Sequence, residues 1–349
     1  MKTSILARPF LFAPLLLALA PVADEITFHP QANAGIVKAL ALDLDLHVED
    51  VSMTVNGQAM PPEANGGLEC KDVLVDLAIG VTEVYVASRD GRPVDLLRTY
   101  DDVSFSAELG DEASEPEAPG IEGKTVRFRW NEDSKVYDRS YHESEGDAEK
   151  LKALSDDMDL RVLLPAKGVA VGDTWEVSGA ALLPLFLPGF GGGEIDGSAF
   201  GGGEGGAIGE AIQEELGPQL ESFAKELKVK CSYAGRSTVD AVDVAEIRFE
   251  FDAAPKLDLA GLLERIAEMQ EGDVPELDVV ATLGFGLEGD GALFWDQAAG
   301  HMRSFEMRSD VTVSAEVDAS AEENGQSFEI ALEIGLGGKA TWKMSAEKR

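Results

Sequence analysis

The chain has 349 residues, with 29 Lys+Arg against 65 Asp+Glu, a formal charge of -36 and 44% hydrophobic residues. That balance excludes a nucleic-acid partner, whose phosphates are held by clustered Lys and Arg, and an anionic membrane surface, which recruits basic segments. The apolar content is too high for a disordered acidic tail and is enough to build a sizeable core.

The chain opens on a basic start (Lys2, Arg8) and an apolar run from Leu11 to Ala23, and acidic sequence follows at Asp24 and Glu25. A membrane-spanning helix needs ~20 apolar residues. This run is shorter and is interrupted by Pro14, so residues 1–23 read as a secretory signal peptide, cut after Ala20 or after Ala23. The expectation is an exported protein, periplasmic, cell-surface or extracellular, with no transmembrane span in the mature chain.

Beyond it the dominant signal is strict two-residue alternation, the period of an amphipathic strand. Leu40, Leu42, Leu44, Leu46 and Val48 share a face; the phase slips at Glu49-Asp50 and resumes at Val51, Met53 and Val55, which predicts a β-bulge. Val73, Val75, Leu77, Ile79 and Val81 make a second long strand, and hairpin signals follow at Arg89–Pro93 and Asn131–Ser134. Residues 110–123 are acidic with Pro and Gly, and read as a loop. Leu151, Leu154 and Met158 fall at helical spacing within 149–160.

Ala181–Leu187 is an unpatterned apolar run, a plug under a sheet or a flap over an apolar cavity, carried by Leu182, Leu183, Leu185, Phe186 and Leu187. Residues 189–209 contain 11 Gly in 21 positions and read as a flexible connector. A weak helix over 208–225 precedes short strands at 227–233 and 247–253. A clearer helix at 259–270 (Leu259, Leu262, Leu263, Ile266, Met269) leads to three long alternating strands at 277–287, 305–317 and 328–344.

Amphipathic strands belong to antiparallel sheets with one buried and one wet face. The predicted fold is therefore mainly β (α+β): long antiparallel strands in one or two curved sheets or half-barrels, each covered by about one helix. The predicted organisation is a signal peptide (1–23), an N-terminal β-rich unit (24–187), a Gly-rich connector (188–209) and a C-terminal β-rich unit (210–349).

Few side chains suggest chemistry. Asp43, Asp45, His47 and Glu49 alternate on one strand face, ~6.5–7 Å apart, and are the candidate ligands for Ca²⁺ or a transition metal; the competing reading is a solvated acidic face. Cys70 and Cys231 are the only cysteines, and in an exported protein they could pair. Gly201–Gly206 formally matches a dinucleotide-binding pattern but lacks the preceding strand. No nucleophile-elbow or zinc-hydrolase motif occurs, and no cofactor is expected. A glycosidase-type carboxylate pair would be invisible among 65 acids.

Four short motifs carry a resemblance: Ile26-Thr27-Phe28-His29-Pro30 before a long strand, Gly123-Lys124-Thr125-Val126 leading to Trp130, Leu163-Leu164-Pro165 before Val169–Trp175, and Leu293-Phe294-Trp295-Asp296. Their order resembles an uncharacterised family of exported bacterial β-rich proteins, which has no assigned function and implies no catalytic residue. More loosely, long amphipathic strands around a helix are similar to periplasmic lipoprotein-carrier folds, which implies an apolar-ligand cavity. The sequence thus points to an exported, non-enzymatic binding or carrier protein for an apolar small molecule or lipid. The alternative is an envelope or surface protein whose acidic sheet faces meet another protein or cations.

Overall fold

The structure, a computed structural model, describes residues 23–61, 72–110, 112–114, 120–151, 154–179, 214–219, 222–223, 227–269, 277–323 and 326–349. Its strands are β1 (Gly35–Val55), β2 (Gln58–Ala59), β3 (Val73–Arg89), β4 (Arg92–Leu109), β5 (Glu112–Ser114), β6 (Thr125–Asn131) and β7 (Val136–Tyr141). They continue as β8 (Thr174–Ser178), β9 (Lys228–Val239), β10 (Val242–Ala253), β11 (Lys256–Asp258), β12 (Leu277–Asp296), β13 (His301–Glu323) and β14 (Gln326–Lys348). Among the described residues 214–219 are also helical, and the longer helix, α1 (Ala260–Met269), is capped by the Asp258 carboxylate, which accepts the Ala260 N–H at 2.9 Å.

All fourteen strands belong to one antiparallel sheet, in the order β7-β6-β4-β3-β1-β14-β13-β12-β10-β9-β8, with β2, β5 and β11 attached at the side. The predicted mainly-β class is what the chain adopts. Strands from both predicted units join along the β1–β14 pair, from Ile36 opposite Lys348 to Val55 opposite Ile330. The Gly-rich connector lies outside the described residues. The bulge expected at Glu49-Asp50 is there, between Val48 and Asp50. The Asp90-Gly91 hairpin turn also forms, with both residues at positive φ (51° and 72°), the conformation a two-residue turn requires.

Register explains why the sheet holds one alignment. One row crosses the inner face as Phe105, Leu77, Leu42, Trp342, Met307, Gly291, Phe249, Cys231 and Trp175, apolar throughout. One residue further along each strand, the matching outer row runs Ser106, Asp76, Asp43, Thr341, Arg308, Asp290, Glu250, Lys230 and Glu176, polar throughout. A one-residue slip of any strand would exchange the two sets, so the alternation read from the sequence fixes the alignment as well as the faces.

The glycine in the inner row makes room for an aromatic layer. Phe249 stacks on Phe305 (centroids 5.5 Å apart, 3° between planes), and a Cβ on Gly291 would collide with the Phe249 ring and the Glu306 carbonyl. Gly291→Ala is therefore expected to cost about 1–3 kcal/mol by overpacking, read as a lower urea midpoint at unchanged slope.

The helix expected at 149–160 does not form. Glu149–Leu151 and Arg161–Leu163 are isolated 3₁₀ turns, and between β7 and β8 the chain instead runs as an irregular strap that links the two outermost strands. The carbonyls a helix would need are taken by the sheet: Leu154 O accepts Arg139 Nε at 2.9 Å, Asp156 O accepts Arg98 Nη2 at 3.0 Å, and Ser155 O accepts Arg98 Nη1. The helix expected at 259–270 is α1, and residues 214–219 of the weaker one are helical.

Candidate functional site

Three charged residues stand in phase with the apolar ladders of the inner face: Lys38 after Ile36, Glu83 after Val81, and Arg98 after Leu96. Pairing brings them together, because Glu83 lies opposite Ile36 on β1 and opposite Arg98 on β4. The strap supplies a fourth charge, Asp159, and Tyr85 completes the group; Lys38, Glu83, Tyr85, Arg98 and Asp159 are all at most 2% exposed.

Every charge is matched. Lys38 Nζ lies 2.6 Å from Glu83 Oε2 and 2.8 Å from Asp159 Oδ1, and donates to the Tyr85 hydroxyl at 2.9 Å. Arg98 Nε donates to Glu83 Oε1 at 2.7 Å, and its guanidinium stands 4.9 Å from the Phe128 ring centroid. The Tyr85 hydroxyl faces Glu83 Oε2 at 2.5 Å and also Asp159 Oδ2. Asp159 Oδ1 further accepts the Met302 N–H of β13 at 3.3 Å, so this one side chain ties β1, β3 and β13 to the strap. Burial alone would raise the Glu83 carboxyl, but the charges of Lys38 and Arg98 overcome it and hold the pKa at about 2. Burial first, then the adjacent carboxylates, push the Tyr85 phenol well above its ordinary range.

Closed off from water and fully paired, this cluster cannot meet a substrate in the present arrangement; it locks the strap onto one end of the sheet. Around it pack the buried strap residues Leu154, Leu160, Leu163 and Val169, and the N-terminal residues Ile26 and Phe28. Two of the short sequence motifs touch here, and a third is closed by its own internal bond. Trp295 Nε1 donates to Thr27 O at 3.2 Å, Phe28 lies 6.4 Å from Trp295, and Trp175 Nε1 donates to Leu163 O at 3.2 Å. Asp24 anchors the segment: its backbone pairs with Val169, and its carboxylate accepts Arg236 at 2.6 Å and the Tyr233 hydroxyl at 2.5 Å, bonds that hold its pKa below the ordinary value.

Toward the other end the strap is gone and burial falls along the same ladders. On β1, Leu40, Leu42 and Leu46 are buried while Val48, Val51, Met53 and Val55 are half-buried. On β13 Met307 is at 0% and Val311 at 8%, whereas Val313, Ala315 and Val317 are half-buried. The gradient ends on β14 in exposed large side chains of the inner face, Phe328 at 42% and Ile330 at 40%. This open half of the inner face is the candidate binding surface.

The other candidates from the sequence fare differently. Asp43, Asp45, His47 and Glu49 are exposed on the outer face, spread along β1. Asp45 lies opposite Lys339, and His47 Nε2 is 3.7 Å from Glu49 Oε1. No group of three or more His, Cys, Asp or Glu among the described residues is placed to hold a metal, so a single strand's spacing, as geometry requires, does not gather ligands. Cys231 is buried in β9, and burial pushes its thiol up to about 12; Cys70, its suggested partner, lies outside the described residues. So do residues 1–22 and Leu182, Leu183, Leu185, Phe186 and Leu187.

No helix among the described residues is long and apolar enough to cross a membrane. No protein-family model matches the chain, and no curated protein matches its sequence. Among solved structures, one described as lipid–protein interactions in lipovitellin is similar at a TM-score of 0.31 and 9% identity, over 92% of this chain and 25% of that one. The chain thus spans about a quarter of the lipovitellin chain's length. OccK5 (OpdH) of Pseudomonas aeruginosa overlaps at a TM-score of 0.15 and 8% identity, over 89% of this chain and 98% of that one. OpdQ of the same organism overlaps at 0.13 and 9%, over 90% and 98%. At these scores none of the three informs the reading of this chain.

Proposed function

We propose that this chain is an exported, non-enzymatic binding or carrier protein that takes an apolar ligand on the open half of its inner face. The observation that carries the reading is the burial gradient: one continuous set of ladders is sealed beneath the strap and left half-covered beyond it, ending at Phe328 and Ile330. A fully buried Phe, Leu or Ile side chain gains roughly 1.5–3 kcal/mol over an exposed one, so a ligand laid across that end recovers burial the fold leaves unused. Contiguous exposed apolar surface of this kind marks binding sites in other proteins. Export rests on the apolar leader over residues 1–23 and its basic start.

The test is titration with the uncharged fluorescent probe N-phenyl-1-naphthylamine, together with organic extraction of the purified protein for co-purifying lipid. Phe328→Asn and Ile330→Asn are each expected to weaken probe binding by roughly tenfold while changing stability by less than about 1 kcal/mol, since both side chains are already part exposed. Saturable binding that both substitutions leave untouched, or no binding at all, would sink the proposal.

A further inference from the structure

The buried cluster holds an amine and a carboxyl in contact, from distant parts of the chain, with a second acid and a phenol around them. Lys38 is the one buried lysine among the described residues. Its Nζ lies 2.8 Å from Asp159 Oδ1 of the strap and 2.6 Å from Glu83 Oε2. The two oxygens of Asp159 differ in their surroundings. Oδ1 accepts the Met302 N–H at 3.3 Å, and Oδ2 faces the Tyr85 hydroxyl. That hydroxyl also meets Glu83 Oε2 at 2.5 Å and accepts from Lys38 Nζ at 2.9 Å. A closed ring of proton-carrying contacts therefore runs from Lys38 through Glu83 and Tyr85 to Asp159.

We propose that this chain joins Lys38 to Asp159 by an intramolecular amide bond, a covalent tie between β1 and the strap. The bond that forms is Lys38 Nζ to Asp159 Cγ, and the bond that breaks is Cγ–Oδ2, whose oxygen leaves as water. The ammonium gives up two protons and Oδ2 receives two, so an ion pair becomes a neutral amide and water with no other reactant. Glu83 Oε2 accepts a proton from Nζ and returns it to Oδ2 through the Tyr85 hydroxyl. General acid–base transfer of this kind contributes ~10²–10⁴-fold in rate. Oδ1 becomes the amide carbonyl, and the Met302 N–H lies on the oxygen where negative charge develops. Well-oriented intramolecular groups react at effective concentrations of ~10⁵–10⁸ M. Exclusion of water from the cluster protects the product from hydrolysis.

Charge selects the partner. A buried ion is costly, and one left without a counter-ion is costlier still. The cluster has two cations, Lys38 and Arg98, and two anions, Glu83 and Asp159. Joining Lys38 to Asp159 removes one of each and leaves Arg98 on Glu83, where Nε donates to Oε1 at 2.7 Å. Glu83 is the nearer carboxylate but the wrong one: its loss would strand Arg98 and Asp159 as separate buried charges.

Peptide mass spectrometry of the full chain, unfolded and digested with trypsin, tests the bond. The expected product is a branched peptide that contains Lys38 and Asp159, lighter by one water than its two arms, with cleavage after Lys38 lost. Asp159→Asn should form the same branch with loss of ammonia in place of water. Glu83→Gln should slow joining by ~10²-fold or more, so that freshly purified protein carries a free Lys38. A variant that fails to fold also leaves Lys38 free, so the parent's own digest and the ammonia loss in Asp159→Asn decide the matter. A free Lys38 in parent protein that unfolds cooperatively in urea overturns the inference. A branch at Glu83 overturns the choice of partner and with it the proposal. Joining of Glu83→Gln at the parental rate removes Glu83 as the proton carrier, and overturns the step as written.

Discussion

Lys38→Met is expected to lower the stability of the folded chain by about 3–5 kcal/mol, among the largest effects of any single substitution that keeps side-chain volume. The reason is what remains. Lys38 is 0% exposed and its ammonium contacts Glu83, Asp159 and the Tyr85 hydroxyl. Removing it leaves two carboxylates converging on one phenol, with Arg98 reaching only Glu83. Urea unfolding measures the loss, and a double-mutant cycle identifies its source: Lys38→Met with Asp159→Asn should cost less than the sum of the two, because the second change removes a charge the first has stranded. A loss below about 1 kcal/mol, or simple additivity, would show that the cluster does not hold the strap. Amide exchange across Leu154–Val169 should rise more than across the middle of β13.

Glu83 gives the second large effect, and its direction in pH is fixed. Its folded pKa, about 2, lies below the 4.5 of an unperturbed glutamate. The difference is therefore worth about 3 kcal/mol of stability, present in full above pH 4.5 and lost as pH falls from there toward 2. Asp24 and Asp95 are also held low by arginine partners and add to the acid loss in the same sense. Against them, the first acid added to a chain of charge -36 relieves mutual repulsion among exposed carboxylates. Stability is thus expected to hold or rise as pH falls to about 4.5, then drop steeply. Glu83→Gln should be much weaker than the parent at pH 7, and the two should converge near pH 2. Parallel curves across that range would remove Glu83 as the source.

The strands were open to reading because the sheet is amphipathic, and amphipathicity is local. The slip at Glu49-Asp50, the Asp90-Gly91 turn and the alternation through 305–317 and 328–344 each require only neighbouring residues, and each has its counterpart in the structure. Which strand lies beside which is not local. Nothing in Ile36–Val55 names residues 330–348 as its partner, so the joining of these strands in one sheet is not legible from either segment alone. The strap misled for a related reason. Leu151, Leu154 and Met158 do have helical spacing, but Arg98 and Arg139, more than a dozen residues away, claim the carbonyls that helix would use.

The buried cluster left a trace that alternation alone could have flagged. Lys38, Glu83 and Arg98 each sit where their ladder demands an apolar residue, and a charge in phase with a buried face needs a partner. The fourth member, Asp159, carried no such mark in an irregular segment. The open half of the inner face left none either, because a ladder looks the same in sequence whether or not something covers it.

The pairing of the first long strand with the last also sets a timetable. β3 follows β1 closely and can satisfy one of its edges early, but the other edge waits for β14, whose first residue is Gln326. At roughly 5–20 residues per second of synthesis, that edge stands unsatisfied for tens of seconds, with an unbroken leucine ladder beside it. Asp43, Asp45 and Glu49 interleave with those leucines on the opposite face. They give every nascent copy the same sign of charge along the edge most able to pair with a neighbour's. The acidity that excludes so many partners from the finished protein would then act earliest on other copies of the chain still being made.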